Sequence, residues 1–207
     1  MKTNNYYYRL DLPNNPLSNV TIPLNPEHSV GGVVYPQSKD IINQQTIDIF
    51  ASVGLEVDCC IIFLRKPAKA NPERRNQNIV HRDFKFIGDQ IQPWHYGVNY
   101  ELHGGSSVLS WWDVNNVPLK YPTKNANNVK LCTIMYGDMN NTFNDDYKLL
   151  QSVELSSVPT LVNTDIPHST NYYDRRKRSL SLSIRFTNVV SSWEESVALF
   201  NRLILRN

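Results

Sequence analysis

Residues 178–186 read RSLSLSIRF, and this alternation decides the fold class. On an extended strand, side chains two apart share a face. Leu180, Leu182, Ile184 and Phe186 therefore form one apolar face, and Ser179, Ser181, Ser183 and Arg185 form the other. Shorter runs with the same look recur upstream: EVDCCIIFLRKP (56–67), IVHRDFKFI (79–87), WHYGVNYEL (94–102), SSVLSWW (106–112), VKLCTIMYG (129–137), YKLLQSVEL (147–155) and PTLVNT (159–164). Gly, Pro, Asn or Asp separates most of them, as expected of strands joined by turns. Their density predicts a mainly β chain, an antiparallel barrel or sandwich rather than alternating βα units.

Outside these runs the character changes. Five prolines interrupt residues 1–45, which read as an extended arm that contributes one or two strands, with a short helix at 40–50. At the other end, SWEESVALFNRLIL places Val197, Leu199, Phe200, Leu203 and Ile204 near helical spacing, after a capping Ser192 with Glu195 three residues later. The organisation expected is one domain over 1–207: arm and short helix at 1–53, β core at 54–187, and a C-terminal helix at 190–206.

Composition narrows the classes. With 41% hydrophobic and 19% charged residues over 207 positions, the chain has the balance of a folding domain rather than a disordered one. A net charge of +2 argues against nucleic acid as a partner. No apolar window is long enough for a membrane span, and the polar N-terminus MKTNNYYYRLDLP does not read as a secretory signal. Three cysteines, two of them adjacent (Cys59 and Cys60), lack the spacing of a disulfide framework or a zinc site. A cytoplasmic location is expected.

Two segments carry candidate chemistry. In IVHRDF, strand geometry turns His81 and Asp83 the same way and Arg82 the other. An imidazole and a carboxylate so placed can take adjacent positions on a divalent metal, and one more histidine completes a two-histidine, one-carboxylate triad. Alone, His-x-Asp also reads as an ordinary surface pair. The second segment is PTLVNTDIPHSTNYYDRRKRSLSLSIRF. It reads as a strand, a Pro167-His168 corner, a polar hairpin, and the strand RSLSLSIRF. Arg178 has the parity of the leucines, which would carry it into the interior toward a buried anion. Taken without His168, at the strand start, it reads rather as part of a solvated RRKR turn.

Taken together, HRD at 81–83, His168 and Arg178 ten residues later resemble the non-haem Fe(II), 2-oxoglutarate-dependent dioxygenases, in particular the short members common in phages and bacteria. The likeness covers about 54–187 and is most specific in the PH(x9)RSLSLSIRF ending. It implies a double-stranded β-helix (a jelly-roll, cupin-like barrel) and an oxidoreductase, a hydroxylase of unassigned substrate. It further implies that His81, Asp83 and His168 ligate iron and that Arg178 pairs with the distal carboxylate of 2-oxoglutarate. The cosubstrate is oxidatively decarboxylated with O2 to succinate and CO2. Many relatives carry a serine two residues after the arginine; here that position is Leu180, so a hydroxyl from Tyr96, Tyr100 or Ser110 substitutes or the contact is absent. Asn99, mid-strand, is a further expected cosubstrate contact.

Other readings compete. HRDF without a glycine-rich loop or a following Asp-Phe-Gly is not a kinase, and HGGSS (103–107) without a G-x-S-x-G elbow is not an esterase. A jelly-roll binding or structural viral protein without catalysis is the main alternative, and a cupin-like metalloenzyme without 2-oxoglutarate is the other.

Overall fold

The computed structural model describes residues 4–18, 32–35, 41–65, 80–87, 90–104, 107–120, 131–137, 145–172 and 179–206. In chain order these form β1 (Tyr7–Arg9), β2 (Gly32–Tyr35), α1 (Gln44–Ser52), β3 (Val57–Arg65), β4 (Val80–Ile87), β5 (Gln90–Pro93), β6 (Tyr96–His103) and β7 (Ser107–Val114). There follow β8 (Leu119–Lys120), β9 (Leu131–Tyr136), β10 (Tyr147–Glu154), β11 (Thr160–Asn163), β12 (His168–Tyr172), β13 (Ser179–Phe186) and α2 (Trp193–Phe200). The chain is mainly β, a sandwich of two antiparallel sheets. One sheet runs β1-β11-β6-β13-β3-β2, and the other β10-β7-β12-β4-β9-β8, with β5 paired to β4 beside that path.

The alternation of β13 has an unexpected meaning: both of its faces are covered. Leu182, Ile184 and Phe186 join Cys60, Ile62, Tyr96, Val98, Tyr100 and Leu161 in a cluster sealed by Phe50, Trp193 and Phe200 of the helical layer. Ser181, Ser183 and Arg185 turn the other way and are buried too, paired in register with Phe63, Ile61 and Cys59 of β3. This second face looks across the sandwich at the other sheet. Its own small cluster there contains Leu109, Trp111, Val153 and Val162. A central strand can be buried on both faces when helices cover one and a sheet the other.

The helices start and stop where capping and backbone pairing dictate. The first was expected at 40–50 but begins at Gln44. Residues 16–18 and 41–43 pair as extended chain (Asn43 N to Pro16 O and Ser18 N to Ile41 O, both 2.7 Å), and the Asn43 side chain accepts from Thr46 N at 2.8 Å. In α2 the Ser192 hydroxyl accepts from Glu195 N at 3.2 Å, and the Glu195 carboxylate accepts from Ser191 N at 2.7 Å. The helix ends at Phe200, short of the expected 206. Asp11 N donates to Leu203 O at 2.7 Å and Leu205 N to Arg9 O at 2.9 Å, so the last residues lengthen the pairing of the first strand instead. The arm thus supplies β1 and β2, at opposite edges of one sheet.

β12 was read as a corner and a polar hairpin. HSTNY is nevertheless a central strand, paired to β7 from His168↔Trp111 to Tyr172↔Ser107 and to β4 at His168↔His81. The RRKR turn lies outside the described residues, and so does Arg178. No helix among the described residues is long and apolar enough to cross a membrane.

Candidate metal centre

β4 and β12 bring the three sequence candidates together. His81 and His168 are directly opposed in register, with ring centroids 4.5 Å apart. Asp83 lies two residues along β4 on the same face, 3.7 Å from His81 Nε2 (through Oδ1) and 3.9 Å from His168 Nε2 (through Oδ2). One ligand atom from each residue falls within 4.8 Å of the others. An ion about 2.1 Å from each ligand sets neighbouring ligands about 3 Å apart, slightly closer than these gaps. Asp83 and His168 are buried, whereas His81 keeps 26% of its side chain exposed, so the centre is approached from the His81 side.

The surroundings prepare the donors. His168 Nδ1 faces the Ile166 carbonyl at 2.9 Å. That acceptor assigns the proton to Nδ1 and leaves the Nε2 lone pair toward Asp83, the tautomer a metal requires. Burial first, then the neighbouring His81, holds His168 down at about 4, so the ring is neutral near pH 7. The Asp83 carboxyl is pushed up by burial. Arg185 foremost, then His168 and His81, outweigh this and hold it below the ordinary carboxylate range. The backbone of Asp83 is fixed as well: its N–H donates to Thr164 O at 3.2 Å, and its carbonyl accepts from Trp94 N at 3.0 Å.

Arg185 is the residue that the sequence reading missed. Its NH2 donates to Asp83 Oδ2 at 2.5 Å, and its NH1 reaches Tyr96 O at 3.3 Å and Thr164 Oγ1 at 3.5 Å. The guanidinium carbon lies 5.7 Å from the centre of the Trp94 ring. Gly97 of β6 makes the room, since a Cβ there would stand 2.4 Å from NH1 and 2.9 Å from Cζ. With one oxygen engaged by Arg185, Asp83 offers the other as a single-oxygen ligand. The signal was present in the sequence: Arg185 shares parity with the serines, and the serine face is the one that meets the centre.

Arg178 lies outside the described residues; the face of Leu182, Ile184 and Phe186, whose parity it shares, packs on the helices. Tyr96, expected at the cosubstrate, lies on that helical side instead. Its ring stacks on Phe186 at 5.6 Å and its hydroxyl donates to Asn188 O at 3.4 Å, on the helical side of the sheet. Tyr100 lies in the same cluster. Ser110 pairs in register with Ser169 of β12, one residue out of phase with the inward-facing Trp111. Asn99 does face inward, where its side-chain oxygen accepts from the Ser183 hydroxyl at 2.6 Å. On the reverse of β4, Arg82 is bound to Asp165, and His95 Nδ1 lies 3.3 Å from the same carboxylate.

Two imidazoles whose Nε2 atoms lie within 4 Å of Asp83, and the ionised Asp83 carboxylate with its second oxygen, form a donor set suited to a divalent first-row metal. No known family model matches this chain, and no curated protein is significantly similar to it.

Proposed function

We propose that the chain is a non-haem Fe(II) and 2-oxoglutarate-dependent oxygenase, acting as a hydroxylase, built on a double-stranded β-helix. The observation that carries this reading is the convergence of His168 with His81 and Asp83, more than eighty residues upstream, with a buried arginine holding one oxygen of the carboxylate. Strand order supports the fold: β3-β13-β6-β11 and β4-β12-β7-β10 sit as two interleaved quartets in facing sheets. His81, Asp83 and His168 would hold the metal, leaving three positions for the keto acid and O2. Bound iron would supply the oxygen chemistry. The chain's residues orient the ligands: Ile166 O fixes the His168 tautomer, Arg185 fixes Asp83, and burial keeps water from both. On the inward face, Asn99 and Ser183 offer polar contacts for the cosubstrate.

The test is spectroscopic. Under anaerobic conditions, Fe(II) with millimolar 2-oxoglutarate should give the weak visible charge-transfer band of the chelate, and His168→Ala should abolish it. Metal binding without a band would leave a metalloenzyme of the cupin kind. Neither metal binding nor a band would leave a β scaffold.

A further inference from the structure

The inward face of β4 does not end at Asp83. Lys85 follows it by two residues with the same parity, so its stem leaves the strand on the metal-ligand side. The residue as a whole is buried, 8% exposed. Among the described residues no carboxylate pairs with its ammonium. It meets the face of Trp94, with Nζ 5.6 Å from the ring centre. A ring face returns only a fraction of what desolvating an ammonium costs.

Arg185 lies over the same indole at 5.7 Å, and its Nε is buried without a partner. Two cations therefore share one ring beside a centre whose single carboxylate, Asp83, is already engaged by Arg185. The next acid on the inward face, Glu101, is bonded to Ser107 and stands four residues up β6 from Gly97, about 13 Å along the strand. A divalent metal would raise the local excess of positive charge further.

We propose that Lys85, seated on Trp94 beside Arg185, is an anion subsite that receives a carboxylate or phosphate of the molecule bound at the metal centre. This rests on the oxygenase reading for the identity of that molecule. Two sources share the chemistry: the far carboxylate of 2-oxoglutarate, and an acidic group on the prime substrate. Lys85 and Arg185 sit at the opposite end of β13 from its first residue, Ser179, about 20 Å away along the strand.

The experiment titrates the full chain loaded with Zn(II), which is redox-silent, and compares wild type with Lys85→Met and Lys85→Arg. The probes are 2-oxoglutarate, 2-oxopentanoate (the same keto acid end without the second carboxylate), and inorganic phosphate added over saturating 2-oxoglutarate. A 10- to 100-fold loss of 2-oxoglutarate affinity in Lys85→Met, with 2-oxopentanoate unchanged and Lys85→Arg near wild type, assigns the cosubstrate's carboxylate to Lys85. Unchanged 2-oxoglutarate binding, with phosphate bound by wild type but not by Lys85→Met, assigns an acidic substrate group. If no probe distinguishes the variants, the subsite does not exist. Should Zn(II) itself fail to bind, the oxygenase reading falls, and phosphate titration of the metal-free chain still decides whether Lys85 holds an anion.

Discussion

Asp83 and Arg185 are a buried pair in which each partner makes the other tolerable. Removing the cation leaves a carboxylate with 3% of its surface exposed and no strong counter-charge, a loss that typically costs about 3–5 kcal/mol. Arg185→Met should therefore lower metal-free stability by about that amount in urea unfolding, and should weaken metal binding because Asp83 loses its fixed orientation. Gly97→Ala tests the same contact from the other strand. Its Cβ would collide with the guanidinium, so we expect about 1–3 kcal/mol of destabilisation together with weaker metal binding. Wild-type metal affinity in Gly97→Ala would show that Arg185 does not position the ligand. His81 and Asp83 were legible because strand parity places them on one face, whereas His168 came in only through the resemblance. Arg185 was not, because parity separates two faces without saying which of two interiors each one enters.

At the scale of elements, the C-terminal helix is anchored by one side chain more than by its length. Phe200 is fully buried and meets Phe50, Tyr96 and Phe186 edge-on. Phe200→Ala should cost about 3–5 kcal/mol, whereas Ser192→Ala, which removes only the cap, should cost about 1 kcal/mol; thermal unfolding of the two variants measures the difference. Comparable losses would mean that the helix is held by its terminus rather than by packing. The helix was visible in its spacing and cap, but its end was not, since Leu203 and Leu205 leave it for backbone partners at Asp11 and Arg9. β12 was invisible for a related reason. His-Ser-Thr-Asn-Tyr carries no apolar alternation, and its strand character comes from the neighbours β7 and β4, between which it lies.

For the whole molecule, the buried His168 and Asp83 make stability depend on pH in one direction. His168 is held neutral, with its folded pKa at about 4 against the ordinary 6.5. As pH falls below 6.5 the unfolded chain takes up a proton that the folded chain refuses, and stability drops until pH reaches about 4. One proton over that interval is worth about 3 kcal/mol. Asp83 adds to the same trend at lower pH: its folded pKa is depressed, so its contribution is complete above the unfolded value of 3.8 and fades as pH falls through the folded one. Metal-free protein should therefore lose stability steadily from pH 6.5 to 4, and His168→Gln should flatten that limb while leaving the Asp83 limb in place. On the proposed reading a divalent ion takes the same neutral imidazole, so Zn(II) at a hundredfold excess over its Kd should add about 2.7 kcal/mol near pH 7, and that gain should shrink toward pH 4 as protons compete for the donors. A pH-stability curve that His168→Gln leaves unchanged between 6.5 and 4 would mean that the folded ring takes up its proton as readily as the unfolded one, so that burial does not hold it neutral.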